Sequence, residues 1–124
     1  MAKTVLDDVL DAALDEIALA NIMTACDTLP TTRTEAITTY MLADVAMTPG
    51  DGNDFNHADG DTNGRKTTVS EKLAVTVDTT GTAINVALCD GTRLLYVTEC
   101  TSQLLTASNT VDFPSWEIEI ADPT

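Results

Sequence analysis

Residues 59–64 read DGDTNG, which has the residue types and spacing that open an EF-hand calcium loop. If Asp59 is the first ligand, Asp61 and Asn63 fill the third and fifth positions, and the turn glycine follows. The twelfth position requires a bidentate glutamate, but the sequence has Ser70 there. A loop-like stretch precedes these residues and a strand-like stretch follows them, where an EF-hand needs helices. We therefore predict a turn, because Asp, Asn and Gly all favour turn conformations.

A looser calcium site is an alternative within the same acidic stretch. Residues 48–64 are rich in Gly, Asp and Asn and contain no apolar run, which predicts a long, protruding surface loop. Carboxylates are good calcium ligands, so a site without EF-hand spacing could use four of them. These are Asp51, Asp54, Asp59 and Asp61. Apart from this alternative, the sequence indicates no metal and no cofactor.

Residues that could perform catalysis are few. His57 is the only histidine, and it lies within the predicted loop. A zinc site built from this histidine and the cysteines would need ligand spacings that the sequence lacks. The sequence also contains neither a nucleophile elbow nor a phosphate-binding loop. We therefore expect a protein that is not an enzyme.

The three cysteines, Cys26, Cys89 and Cys100, are an odd number and show no CxxC spacing. This pattern is typical of reduced, mostly buried thiols in a protein made in a cytoplasm. One disulfide is an alternative. A Cys89–Cys100 bridge is disfavoured because Cys89 precedes a predicted tight turn and Cys100 ends the returning strand.

Length and charge limit the class of protein. A chain of 124 residues predicts one domain with a single core. Twenty acidic against six basic residues give a net charge of −14, which repels nucleic-acid phosphates and anionic membranes. No apolar run approaches the roughly 20 residues that span a bilayer. Acidic residues interrupt the first apolar stretch, so we expect no signal peptide.

An amphipathic helix is predicted at the N-terminus, in residues 1–21. Between residues 4 and 20, apolar side chains recur at helical spacing and the acids fall on the opposite face. Thr4 is the predicted N-cap, and Asp7 and Asp8 suit the positive end of the helix dipole. The apolar stripe lies either on the chain's own domain or on a neighbouring subunit, and both alternatives stay open. Its residues are Leu6, Leu10, Leu14 and Ile17.

Antiparallel strands are predicted for most of the remaining chain. A connecting segment, residues 22–64, contains the strand-like IMTAC, a helical turn near Glu35 and an extended YMLADVAM stretch. In residues 65–124 apolar side chains alternate, and Asp90-Gly91 is a hairpin signal. We expect a single α+β domain, mainly β, with the helix followed by an antiparallel β-sandwich or barrel-like sheet. The alternation predicts one inward face with Val69, Leu73, Val75, Val77, Ile84, Val86, Leu88, Trp116, Ile118 and Ile120.

Several stretches together resemble a family of small virion proteins from tailed bacteriophages. They are an amphipathic LDxxLDxI start, a short strand ending in Cys, a TLPTTRTEA segment, a DGDTNGRK turn, a TGTAxxVALCDGTRLLYVTECTSQLLTASNTV run and a closing FPSWEIEIADPT. In this chain they occupy residues 6–17, 23–26, 28–36, 59–66, 80–111 and 113–124.

The resemblance implies a structural role in the virion, namely decorating or cementing the capsid. The partners would be the major capsid protein or other virion proteins, with several copies of the chain assembled in the particle and no nucleic acid or membrane bound. The alternatives are a tail- or fibre-associated structural protein, and a calcium-stabilised binding or adhesion module that uses residues 51–64. Candidate interface residues are Leu6, Leu10, Leu14, Ile17, Tyr40, Trp116 and Ile118.

Overall fold

A computed structural model describes residues 2–124. Residues 2–124 form one α-helix, one π-helical segment and nine β-strands, and every strand is paired antiparallel. The mainly β, α+β class predicted from the sequence is confirmed. In chain order the elements are α1 (Asp7–Ile17), β1 (Ile22–Cys26), the π-helical segment (Glu35–Thr39), β2 (Met41–Ala46), β3 (Phe55–Asp59), β4 (Arg65–Val69), β5 (Lys72–Thr76), β6 (Gly81–Cys89), β7 (Leu94–Leu105), β8 (Thr110–Phe113) and β9 (Trp116–Ile120).

Helix α1 is shorter than the sequence indicates. It begins at Asp7, and the N-cap is Leu6 rather than Thr4, with no side chain capping the first turn. Asp7 and Asp8 do occupy the first turn, where the helix dipole favours carboxylates. Leu14 is fully buried in the main core and Ile17 packs against this core, so this part of the apolar stripe lies on the chain's own domain.

The strands form three sheets rather than a closed barrel. The largest has the order β2-β1-β6-β7, the second has the order β3-β4-β9, and β5 pairs with β8. Sequence neighbours β6 and β7 form the hairpin predicted from Asp90-Gly91. The Asp90 carboxylate accepts hydrogen bonds from the backbone N–H groups of Thr92 and Arg93, and these bonds help lower its pKa to about 2.

One hydrophobic core joins the helix and all three sheets. Phe55 of β3, Leu88 of β6 and Ile118 of β9 are 5% exposed or less and belong to the same cluster. A smaller cluster lies on the opposite face of the largest sheet, where Ala36 of the π-helical segment covers Ala87 and Cys89. The largest sheet therefore has apolar contacts on both faces.

Two sequence-based expectations about the strands are wrong. Residues 48–64 are not entirely a protruding loop, because β3 lies within them and Phe55 is fully buried. Leu73 and Ile84 do not face the core, with exposures of 60% and 38%. Near both residues the register of the strand pairing shifts, which interrupts the simple two-residue alternation.

Candidate functional site

The DGDTNG stretch forms the loop of the β3–β4 hairpin. The N–H of Gly60 donates to the carbonyl oxygen of Gly64 at 2.9 Å, which closes the loop. Gly64 has φ +73°, a left-handed conformation that favours glycine. The turn predicted from these residue types is therefore present.

The four acids of the alternative calcium site do not converge. Asp51 accepts a hydrogen bond from the backbone N–H of His57, at 2.9 Å. The other three carboxylates each pair with a different basic side chain, and no group of three potential metal ligands occurs within residues 2–124. The calcium alternative therefore finds no support in the arrangement of these side chains. The pairs are Asp54–Lys72 at 3.0 Å, Asp59–Arg65 at 2.8 Å and Asp61–Lys66 at 2.8 Å.

A hydrogen-bonded row that the sequence did not reveal links α1 to the β3–β4 hairpin. His57 contacts Asp15 through Nε2 at 2.8 Å and Thr67 Oγ1 through Nδ1 at 3.0 Å. The order carboxylate, imidazole, hydroxyl is that of a catalytic triad. Thr67 is fully buried, however, so no substrate can reach its hydroxyl. His57 therefore links helix α1 to the β3–β4 hairpin, and it lies in strand β3 rather than in the surface loop expected from the sequence.

The three cysteines are free thiols, as predicted. Burial raises the pKa of Cys89 to about 11 and also raises the pKa of Cys26 and of Cys100. Because the thiolate is the reactive form, these thiols are poor nucleophiles at neutral pH. Cys26 and Cys89 are buried, whereas Cys100 on β7 is only half-buried.

Two carboxyl groups meet where β2 approaches the start of the β5–β6 connection. Ala43 and Val77 form an isolated antiparallel bridge, which places Asp44 and Asp78 diagonally on one face. The backbone N–H of Asp78 donates to the carbonyl oxygen of Leu42 at 2.8 Å and holds the two segments together. Partial burial, a hydrogen bond with Asp78 and the charge of Asp78 all raise the pKa of Asp44.

The structure separates the predicted interface residues into buried and accessible ones. Leu10, Leu14 and Ile118 are 8% exposed or less and lie inside the chain itself, which corrects the prediction that they contact a partner. Leu6 is 70% exposed. The remaining three are half-buried: Ile17, Tyr40 and Trp116.

A large bulge in β7 shapes an accessible surface of the protein. Ala83 pairs with Gln103 and Asn85 pairs with Glu99, so β6 advances two residues while β7 advances four. Three residues of β7, numbers 100–102, therefore lie opposite the single residue Ile84 of β6. Such a bulge bends its strand and locally disrupts the ladder.

Three concavities meet at this bulge, and all three are lined by Cys100. Two of them, of about 230 and 250 Å³, lie between β7 and residues 111–117. Drug-sized ligands usually occupy about 300–1,000 Å³, so these two concavities are better matched to individual side chains of a protein partner. We call the combined surface the β7 groove. Its apolar lining includes Leu29, Ile84, Val86, Phe113, Pro114 and Trp116.

The β7 groove is apolar with an acidic border. Leu29 is 56% exposed and Ile84 38%, and both line the third concavity beside Glu99. Phe113 and Trp116 line the concavity of about 250 Å³, and the Trp116 ring lies 6.0 Å from the Tyr96 ring. Trp116 was predicted from the sequence but the groove was not, because a bulge formed by residues far apart in sequence leaves no local signal.

Comparisons with known proteins identify no relative. No protein-family model, no curated protein sequence and no solved structure matches the chain. Among residues 2–124 the structure contains no helix long and apolar enough to span a bilayer.

Proposed function

We propose that this protein is a structural component of a tailed-phage particle, where it decorates or cements the capsid through protein–protein contacts. The observation that best supports this proposal is the β7 groove, an accessible apolar surface on an otherwise acidic domain. Leu29 and Ile84 remain exposed although burying them would be favourable. Clustered exposed apolar side chains with a polar border are typical of protein-binding surfaces.

The distribution of charge agrees with a binding role. Four of the six basic residues are already paired with carboxylates of the same chain, namely Arg65, Lys66, Lys72 and Arg93. The excess acidic charge of −14 is therefore directed towards solvent or towards a partner. Acidic surfaces steer a protein towards basic partner surfaces and discourage contact with nucleic acid.

A stable contact of this kind usually buries about 1,200–2,000 Å² in total. The β7 groove alone is smaller than this, so a decorating protein would add contacts from its flanks. Several copies arranged around a symmetry axis of the particle would also raise the effective concentration of each contact. The proposed partner is the major capsid protein or another protein of the particle.

Quantitative mass spectrometry of purified particles tests the proposal. We expect this chain at a copy number comparable to that of the major capsid protein, and immunogold labelling should place it on the outer capsid surface. A few copies located at the tail would support the tail-associated alternative instead. Absence from purified particles would contradict both.

A loading assay then tests the surface. Purified protein is added to particles that lack it, and the bound fraction is measured after sedimentation. Leu29→Ser with Ile84→Ser should reduce loading because both side chains line the groove. Leu73→Ser is the matched control, since Leu73 is similarly exposed at 60% but lines none of the three concavities. Equal loading of all variants would show that the groove is not the contact surface.

A further inference from the structure

The outer edge of β7 has no strand beside it. In the order β2-β1-β6-β7 this strand is last, and no backbone hydrogen bond of residues 2–124 joins its outer edge to another strand. At twelve residues β7 is also the longest strand of the protein. An unpaired edge of this length presents a row of backbone donors and acceptors to any extended chain that approaches it.

The β7 groove lies along this same strand. Its concavities are lined by Thr98, Glu99, Cys100 and Thr101 of β7, so a chain added to the edge would lie next to them. In strand addition, main-chain hydrogen bonds supply affinity and pockets for alternate side chains supply specificity. Here the edge and the pockets occur together.

The charges favour a basic partner over a second copy of the same chain. Glu99 is exposed at the middle of β7, and it forms no ion pair within residues 2–124. Antiparallel pairing of two β7 strands would bring the two copies of Glu99 near each other, and each domain carries −14. Like charges across a strand pair are destabilising. A lysine or arginine on the added strand would instead complement Glu99.

We infer that the outer edge of β7 binds an extended segment of a partner protein, which places apolar side chains in the β7 groove and a basic residue beside Glu99. This inference rests on the proposed function and specifies how the partner is recognised. The bulge at residues 100–102 bends the strand, which hinders open-ended stacking of copies and provides the concavities for side chains.

A defined peptide tests the mode of binding. The probe is a synthetic peptide of alternating valine and threonine with two lysines at each end. The control peptide has the same centre and two glutamates at each end. Binding to the ¹⁵N-labelled full chain is followed by NMR, where the single tryptophan gives one indole N–H signal from the wall of the groove. We expect shifts of this signal and of β7 amides, with a Kd of about 1 mM or tighter for the lysine peptide only.

Two pairs of variants test whether Glu99 and the β7 groove bind the lysine peptide. Glu99→Lys should weaken binding of the lysine peptide roughly fivefold to tenfold, because it replaces an attraction with a repulsion. Glu71→Lys makes the same change of charge at an exposed residue that lines none of the three concavities, and it should have little effect. Leu29→Ser should also weaken binding, whereas Leu73→Ser should not.

The inference is overturned if the lysine peptide causes no shifts, if the shifts lie away from β7 and the groove, or if both peptides bind equally. Its failure is distinguishable from failure of the proposed function. Normal particle loading by Glu99→Lys would leave the particle role standing and remove this mode of recognition. Peptide binding by a protein that is absent from particles would do the reverse.

Discussion

At the scale of single residues, the buried polar groups connect elements that are distant in sequence. The His57 side chain is 4% exposed and joins Asp15 of α1 to Thr67 of β4. Buried polar groups of this kind cost free energy unless each has a partner. The row therefore contributes to the docking of the helix on the β3–β4 hairpin.

Replacing His57 with alanine should destabilise the protein by about 1–3 kcal/mol, because the buried Thr67 hydroxyl loses its partner. Asp15→Ala is the control. The Asp15 side chain is 65% exposed, so water replaces the lost contact and we expect a change below about 1 kcal/mol. Urea denaturation measures both values. Equal effects would show that the contact with Asp15, and not the burial of Thr67, determines the stability of this row.

Asp44 gives a second prediction at this scale. Its pKa is raised in the folded protein by partial burial and by Asp78, so the folded state binds this proton more tightly than the unfolded state does. Above this raised pKa, the partial burial of the Asp44 carboxylate and the charge of Asp78 both destabilise the folded state. Asp44→Asn should therefore increase stability at pH 7 by about 0.2–1 kcal/mol.

The advantage of Asp44→Asn should decrease as the pH falls through the raised pKa of Asp44, above its ordinary 3.8, because the wild-type pair then gains the proton. Thermal unfolding between pH 7 and pH 4 measures this trend, with the exposed Glu71→Gln as the control. A constant difference across this range would contradict the assignment of the raised pKa to the pair.

At the scale of elements, the loop of the β3–β4 hairpin contains a glycine, Gly64, in a backbone conformation that other residues rarely adopt. A methyl group at Gly64 would collide with the carbonyl oxygen of Ile120, and its φ of +73° is already unfavourable for other residues. Gly64→Ala should therefore lower the free energy of unfolding by about 1–3 kcal/mol. Gly91→Ala is the control. A methyl group at Gly91, in the β6–β7 turn, would face open space, so this substitution should change the free energy of unfolding by less than about 0.5 kcal/mol. Similar melting temperatures for the two variants would show that the hairpin loop can shift away from Ile120 without loss of stability.

The elements also show which features a sequence can predict. Strand β1, the turn at Asp90-Gly91 and the one-sided β9 follow from local patterns, because residue types within a few positions determine them. Strand β3 was missed because its pairing with β4 and the burial of Phe55 are tertiary effects that outweigh a Gly- and Asp-rich composition. The β7 groove was missed for the same reason, since its walls come from separate strands.

At the scale of the whole molecule, the acidic charge opposes compactness. The chain carries −14, and only some of its carboxylates are balanced by nearby basic groups. Repulsion among the remaining carboxylates is weaker in the expanded unfolded chain than in the folded domain. Dissolved salt screens such repulsion over distances of about 10 Å at 0.1 M. The stability of this protein should therefore depend on ionic strength.

Raising NaCl from about 10 mM to 500 mM at pH 7 should increase the melting temperature by roughly 2–6 °C, which corresponds to about 1 kcal/mol for a domain of this size. Near the sequence pI of 4.1 the net charge approaches zero, so the same addition of salt should have little effect.

CaCl₂ and MgCl₂ at matched ionic strength should give equal melting temperatures, because the carboxylates at Asp51, Asp54, Asp59 and Asp61 have separate partners. A rise specific to calcium would instead require these side chains to rearrange around an ion, and would restore the calcium-stabilised module as the better description of this surface.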